Sequence, residues 1–177
     1  MTESRIFEPD GRAIVFAAEG AGPNLVLVAD RGAGIESLAA LAHSVSTEDF
    51  QVVRVATAEA QDVIDLLDEL EIADAWIGGH GAGGSVARAV ALEQHDRVNG
   101  LLLLGVEADA PALATGLPVL VVQSSDDDVT PPANGEALRD GAPAQVSVVT
   151  IEGGGHRFPA TRIGETSWAI EDYLDWD

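Results

Sequence analysis

Short continuous apolar runs recur along the chain and alternate with segments whose apolar positions repeat every three or four residues. The continuous runs are typical of strands buried on both faces, and the longer repeat is typical of amphipathic helices. The predicted strands are Asn24–Ala29, Phe50–Ala56, Ala75–Gly78, Gly100–Gly105, Val119–Gln123 and Gln145–Glu152. Strands that alternate with helices at this spacing predict an α/β fold with a mostly parallel sheet. We expect residues 1–177 to form a single domain.

The segments around these strands carry hairpin and helix signals. Arg5–Phe7 and Ala13–Ala18 flank the turn signal Pro9-Asp10-Gly11 and predict an N-terminal hairpin. Helices are predicted around Leu38–Val45, after an N-cap at Thr57, over Ala82–Glu93, from Thr130-Pro131, and over Glu165–Trp176.

The charge balance narrows the classes of partner. Thirty acidic residues face nine arginines and no lysine, which gives a net charge of −21. Such a surface repels nucleic acid and anionic membranes, so a small molecule is the expected substrate or ligand. No apolar run approaches the roughly 20 residues that span a bilayer, and no apolar segment follows Met1 as in a secretory signal. A cytoplasmic protein is therefore expected.

Four polar or glycine-rich loops follow predicted strands. They are Asp30–Gly34, His80–Gly83, Ser124–Pro132 and Gly153–Phe158. In open parallel sheets, ligands bind at the carboxyl ends of the strands. The residues that carry chemistry are therefore expected in these loops.

Three of these loops resemble, in chain order, the nucleophile elbow, acid loop and histidine loop of the α/β-hydrolase superfamily. Gly79-His80-Gly81-Ala82-Gly83 has the elbow spacing, Asp127 lies four residues before Pro131, and His156 follows three glycines. The resemblance covers almost the whole chain. It implies a three-layer α/β-hydrolase-like sandwich with a mostly parallel sheet of about eight strands. The short span from Gly105 to Pro118 implies that there is no cap domain.

The chain departs from the family pattern at two places. Gly81 stands where the family has its nucleophilic serine, and Ala29-Asp30 stands where the family usually has His-Gly. The resemblance places the two oxyanion-binding backbone N–H groups at Arg31 and Ala82. A missing serine side chain is expected to leave a gap that water could fill.

Each candidate catalytic residue also has a structural interpretation. Gly81 is either a vacant nucleophile position or a simple turn glycine, since glycine adopts strained turn conformations without a steric cost. Asp127 either orients a catalytic histidine or caps the helix that follows it. His156 either forms a dyad with Asp127, and so acts as a general base, or is an exposed loop histidine.

The neighbouring polar residues carry weaker signals. Arg31 is either a surface arginine that pairs with Asp30 or Glu107, or an anion-binding group at the mouth of the site. His80 is expected to pack under the turn, and Ser85 is expected to face the packing and not the site. Neither a metal site nor a cofactor is expected, because the acidic loop lacks partners with metal-ligand spacing.

Three hypotheses for function remain open. In the first, the chain hydrolyses small ester or acyl substrates with water activated by Asp127 and His156. In the second, it is a catalytically inactive hydrolase homologue that binds a small ligand or a protein partner. In the third, it is a site-directed variant of an active serine hydrolase, although the changed Ala29-Asp30 argues against this. Open sheet edges also make a homo-oligomer possible.

Overall fold

A computed structural model describes residues 4–174, which contain one eight-stranded sheet. The strands are β1 (Arg5–Phe7), β2 (Ile14–Glu19), β3 (Asn24–Val28), β4 (Gln51–Ala56), β5 (Ala75–His80), β6 (Val98–Leu104), β7 (Val119–Ser124) and β8 (Val146–Ile151). Their order across the sheet is β1-β2-β4-β3-β5-β6-β7-β8. The strands from β3 to β8 run parallel to one another, whereas β2 is antiparallel to both of its neighbours, β1 and β4. The predicted mostly parallel sheet and the N-terminal hairpin are confirmed.

Helices cover both faces of the sheet. They are α1 (Ala39–Ser46), α2 (Ala60–Glu69), α3 (Ala82–Glu93), α4 (Pro132–Gly141), α5 (Phe158–Thr161) and α6 (Ile163–Leu174). One apolar core joins the sheet to α2 and α3, and a second joins the opposite face to α1 and α6. The predicted three-layer sandwich is confirmed. β5 is buried along its whole length between these layers. Its carboxyl end is followed directly by the turn that leads into α3.

Two predicted helix ends differ from the observed ones. Thr57 is not the N-cap of α2, because that helix begins at Ala60 and its N-cap is Glu59. The Thr57 hydroxyl instead accepts the backbone N–H of Glu59 and donates to Asp62 Oδ2, which forms a polar turn before the helix. The predicted end of the last helix at Trp176 lies outside the described residues.

The carboxyl edge of the sheet is uncovered between β6 and β7. Residues 105–118 connect these strands, and this stretch contains no helix or strand. The expectation of no cap domain therefore agrees with the part of the chain that the structure describes. Over residues 4–174, no helix combines the length and apolarity needed to cross a membrane.

Candidate active site

A glycine-lined turn joins β5 to α3 and forms the elbow predicted from the sequence. Gly81 has φ 54° and ψ −115°, a left-handed conformation that side-chain-bearing residues rarely adopt. A Cβ atom at Gly79 would meet the backbone of Gly83, and one at Gly83 would meet the carbonyl of Val28. Since both positions are glycine, α3 can approach β3 and β5 closely enough to present its first N–H groups above the sheet.

The space beside Gly81 is filled by the side chain of Asp30, which follows β3. A Cβ atom at Gly81 would lie 2.6 Å from Asp30 Oδ1 and 2.9 Å from Asp30 Cγ. The prediction of an empty position that water could fill is therefore wrong. A carboxylate from the neighbouring loop occupies the place where a side chain of the elbow residue would begin.

The two backbone donors predicted for an oxyanion both bind this carboxylate. The N–H groups of Arg31 and Ala82 donate to Asp30 Oδ1 over 2.8 Å and 2.9 Å. Their convergence on one oxygen is the geometry by which such donors hold an anionic oxygen. Because Oδ1 accepts both bonds, its two lone pairs are engaged and Oδ2 is the less constrained oxygen.

His156 lies between two carboxylates. Its Nε2 is 2.6 Å from Asp30 Oδ2, and its Nδ1 is 3.0 Å from Asp127 Oδ2. An ionised carboxylate can accept hydrogen bonds but cannot donate them. Both ring nitrogens therefore donate in this arrangement, and the ring is an imidazolium. The structure thus brings His156 and Asp127 together, as the sequence predicts, and adds Asp30 as a second acidic partner.

Asp127 is anchored as a buried hydrogen-bond acceptor. Its side chain is 0% exposed. Its Oδ1 accepts the backbone N–H groups of Val129 and Thr130, each over 2.9 Å, and its Oδ2 accepts the Thr130 hydroxyl over 2.7 Å. These bonds lie in the loop before α4, which begins at Pro132 without a side-chain cap. Asp127 is therefore fixed to face His156 and does not cap the helix.

The charges of the three groups stabilise one another. Burial alone raises the pKa of Asp30, but the hydrogen bonds from His156, Ala82 and Arg31 outweigh it and hold that pKa below 3.8. Burial likewise opposes the low pKa of Asp127, and the bonds from Thr130 prevail. Burial lowers the pKa of His156, but Asp30 and Asp127 raise it above 6.5. All three shifts favour an ionised carboxylate–imidazolium–carboxylate cluster.

His80 supports His156 from beneath. Its side chain is buried, its Nε2 donates to the backbone carbonyl of His156 over 2.6 Å, and the two rings stack with centroids 4.5 Å apart. Burial and the neighbouring imidazolium lower the pKa of His80 below 6.5, so it is the neutral member of the pair. The position agrees with the expectation that His80 packs under the turn.

Among residues 4–174, one group of side chains could hold a metal ion, with ligand atoms within 4.8 Å of one another. It consists of Asp30, His80 and His156. The planes of the two imidazole rings are only 25° apart. A ring nitrogen binds a metal through a lone pair in the plane of its ring, and two stacked rings direct these lone pairs along separate planes. The group therefore does not fit a metal without rotation of one ring.

Asp30 and Arg31 lie between two cavities. The first, of about 480 Å³, is lined largely by alanines and also by Ser85 and Glu107. The second, of about 570 Å³, is lined by His80, His156 and Arg157, among others. Ser85 thus faces the first cavity, contrary to the expectation that it faces the packing. Its hydroxyl donates to Glu107 Oε1 over 2.6 Å, so it is oriented as a donor to a carboxylate.

The Arg31 side chain reaches over the first cavity. It is 79% exposed, and its Nη1 lies 3.8 Å from Glu107 Oε2. The surface and ion-pair interpretation of Arg31 agrees with this placement, while its backbone N–H serves the site below. One residue therefore contributes a backbone donor inside the site and an exposed cation at its mouth.

Sequence reasoning missed the role of Asp30. From the sequence, Asp30 is only a departure from the family pattern and the neighbour of a backbone donor. A signal was present, because a residue with a longer side chain stands in the loop and a residue without one stands in the elbow. Such a paired change in size indicates that one side chain occupies the space left by the other.

Comparisons with known proteins agree with this architecture. A sequence model described as the alpha/beta hydrolase family matches residues 28–161. Among solved structures, an esterase from Thermogutta terrifontis has a TM-score of 0.81 and 20% identity, over 99% of this chain and 98% of that one. A predicted CIB-like hydrolase from Thermoplasma acidophilum has a TM-score of 0.82 and 15% identity, over 98% of both chains.

A membrane phospholipase A from a bacterium has a TM-score of 0.86 and 16% identity, over 98% of this chain and 86% of that one. At these identities the solved structures show a shared fold. No curated protein matches the sequence.

Proposed function

The chain belongs to the alpha/beta hydrolase family, and from that premise we propose that it hydrolyses small ester or acyl substrates without a serine nucleophile. In this proposal His156, oriented by Asp127, removes a proton from water and then donates it to the leaving group. The N–H groups of Arg31 and Ala82 stabilise the oxyanion that forms on the substrate.

The observation that carries the proposal is the position of the Asp30 carboxylate. One of its oxygens accepts the two backbone N–H groups, and the other lies against His156 Nε2. Hydrolysis of an ester leaves a carboxylate product whose oxygens would have these same partners. The site thus has the shape and the charge that bind the product of acyl hydrolysis.

This route requires the Asp30 side chain to leave the backbone donors when a substrate enters. The side chain is 20% exposed and lies where the two cavities meet, so rotation toward either cavity is sterically open. Rotation also removes one of the two carboxylates that raise the pKa of His156. Substrate entry would therefore free the donors and the base together.

A panel of p-nitrophenyl esters of short acids tests the proposal. We expect turnover by the wild-type chain, and we expect His156→Ala to lower kcat/KM by about 10²–10⁴-fold, the usual range for loss of a general base. Asp30→Ala is expected to raise kcat/KM, since it frees both backbone donors. His43→Ala is the matched control, because His43 is an exposed histidine that contacts Glu19 outside the site.

Equal rates for wild type and His156→Ala would contradict the proposal. They would favour the second candidate, an inactive homologue that binds a small ligand or a protein partner. One observation supports that candidate, because Asp30 already satisfies the donors and the imidazole that a substrate would use. The two candidates separate on whether ester turnover depends on His156.

A further inference from the structure

We propose that Ser85 and Glu107 form a subsite that selects acyl chains carrying a hydroxyl group. The two residues come from the first turn of α3 and from the loop after β6, and both line the first cavity. The inference rests on the proposed ester hydrolysis, because it names the acyl group that the same site accepts. It gives a role to a polar pair in a cavity whose walls are largely alanine.

The positions of the oxyanion donors and of the base decide which half of an ester enters this cavity. Arg31 and Ala82, whose N–H groups would hold the oxyanion, both line the first cavity. His156, which would protonate the leaving group, lines the second cavity and not the first. The leaving group therefore lies on the side of the second cavity, and the acyl chain extends into the first.

Other polar side chains around the first cavity are already engaged. Asp30 is held by the two backbone donors and by the imidazolium. The Thr57 hydroxyl accepts a backbone N–H and donates to a carboxylate within the turn before α2. Arg31 reaches over the mouth of the cavity and is 79% exposed. The groups left to bind a ligand inside the cavity are those of Ser85 and Glu107.

The hydrogen bond between Ser85 and Glu107 leaves two acceptors open. The Ser85 hydroxyl donates to Glu107 Oε1 over 2.6 Å, so its own lone pairs stay available. Glu107 Oε2 receives no hydrogen bond from the residues that the structure describes, and Arg31 Nη1 lies 3.8 Å from it, beyond hydrogen-bond distance. A ligand group that donates a hydrogen bond can therefore bind between Oε2 and Ser85 Oγ.

A buried cation holds Glu107 in this position. Arg88 lies one turn after Ser85 on α3 and is only 6% exposed. Burial lowers the pKa of its guanidinium and the charge of Glu107 opposes that shift, so the two charges lie close together. Among the described residues, Arg88 Nε has no hydrogen-bond partner. Movement of Glu107 into solvent would leave this buried charge uncompensated, which keeps the carboxylate at the cavity.

The surrounding charges favour a neutral donor over a charged one. Arg31 and Arg88 both lie near Glu107, so an ammonium group at Oε2 would be repelled by two guanidinium groups. A carboxylate on the ligand would be repelled by Glu107 itself. A hydroxyl group donates to Oε2 without either cost. The expected substrates are esters of short hydroxy acids, whose carbon chains pack against the alanine walls.

The test compares p-nitrophenyl esters in pairs that differ only by a hydroxyl in place of a methyl group. One pair is 3-hydroxypropanoate and butanoate, and the other is 6-hydroxyhexanoate and heptanoate. In the wild-type chain we expect a higher kcat/KM for the hydroxyl member of at least one pair. In Glu107→Met the ratio of the two kcat/KM values should fall by about 10–100-fold, because the hydroxyl loses a hydrogen bond to a charged group.

The ratio also serves as an internal control, because changes that affect both esters alike cancel. Glu107→Gln should keep much of the ratio, since its amide oxygen still accepts a hydrogen bond. Glu165→Met is the matched control, because Glu165 is an exposed glutamate that lies near Arg162 outside both cavities. If loss of Glu107 unfolds the chain around Arg88, Ser85→Ala replaces it and should lower the ratio by about 2–10-fold.

A second measurement does not depend on ester turnover. The amide resonances of the ¹⁵N-labelled chain are followed while 1,4-butanediol or 1-pentanol is added, two ligands that again differ by a hydroxyl and a methyl group. Glu107→Met should raise the Kd of the diol relative to that of pentanol by about tenfold. Shifts on binding are expected at the amides of Ser85 and Ala89, which line the first cavity.

The outcomes separate this inference from the proposed function. If no ester is turned over but diol binding depends on Glu107, the proposed hydrolysis fails and the subsite stands. If esters are turned over with dependence on His156, and the kcat/KM and Kd ratios are the same in wild type and Glu107→Met, the inference fails and the proposed function stands. A higher kcat/KM for the 6-aminohexanoate ester than for the 6-hydroxyhexanoate ester would overturn the choice of a neutral donor.

Discussion

At the scale of single residues, the site depends on a steric exchange between Asp30 and Gly81. The carboxylate approaches Gly81 closely because the glycine has no Cβ atom, and the backbone after Gly81, whose φ is positive, presents the Ala82 N–H to it. Each residue is therefore tolerated because of the other. The same contact places Asp30 Oδ2 beside His156 Nε2, so it also affects the protonation of His156.

A double-mutant cycle measures this exchange. Gly81→Ala is expected to destabilise the chain by about 1–3 kcal/mol through its positive φ, with a further cost from the contact with Asp30. In the Asp30→Ala background the contact is absent, so the cost of Gly81→Ala should fall by about 0.5–3 kcal/mol. Urea unfolding of the four chains gives the coupling. A coupling of zero would show that the carboxylate moves aside freely.

The sequence predicts the donors and the dyad but not the contact between them. Arg31, Ala82, Asp127 and His156 follow strands of one parallel sheet, so their meeting at one edge follows from chain order and topology. The direction of the Asp30 side chain is a rotamer choice, and it depends on hydrogen bonds to residues distant in sequence. Spacing along the chain carries no information about that choice.

At the scale of elements, close approach of α3 to the sheet sets the position of the Ala82 donor. A Cβ atom at Gly83 would collide with the backbone carbonyl of Val28 on β3. A flexible side chain could move away, but strand backbone held in the sheet on both edges cannot. The distance between the helix N-terminus and the loop after β3 is therefore set by a residue with no side chain.

Gly83→Ala is expected to destabilise the chain by about 1–3 kcal/mol, as overpacking in a dense interior does. It should also move the Ala82 N–H away from Asp30 and weaken any activity that needs this donor. Gly164→Ala in α6 is the matched control, because a Cβ atom there would meet nothing within 4 Å. Thermal unfolding of the two variants checks the difference. Similar destabilisation by both would contradict a specific role for close packing.

Element boundaries illustrate what local patterns leave out. The strands were predictable because continuous apolar runs identify positions buried on both faces. The N-cap of α2 is Glu59 and not the predicted Thr57, because the Thr57 hydroxyl is engaged by Glu59 and Asp62 in a turn. A threonine before a helix can fill either role, and the choice depends on which neighbours compete for its hydroxyl.

At the scale of the whole molecule, an ionised cluster lies at the edge of a chain with net charge −21. His156 carries the positive charge that makes two close carboxylates compatible. Its pKa is raised in the folded chain, and those of Asp30 and Asp127 are lowered. The cluster therefore contributes stability above the ordinary carboxyl pKa of 3.8 and up to the raised pKa of His156.

This linkage predicts how stability depends on pH. The contribution of His156 is fully present below its ordinary pKa of 6.5 and is lost as pH rises through its raised folded-state pKa. The difference in unfolding free energy between wild type and His156→Gln should thus be larger at about pH 6 than at about pH 9. Urea unfolding at both values tests this. A difference that grows with pH would show that His156 is neutral in the folded chain.

The close fit of Asp30 against Gly81 also limits which single substitutions could convert this chain into a serine hydrolase. A serine introduced at position 81 would collide with the Asp30 carboxylate, and removal of that carboxylate alone would restore no hydroxyl. Neither substitution by itself leads to a serine hydrolase, so the benefit of each depends on the presence of the other. Conversion to serine chemistry by single substitutions must therefore pass through an intermediate that has neither the carboxylate nor the serine hydroxyl, or one in which the two are crowded together.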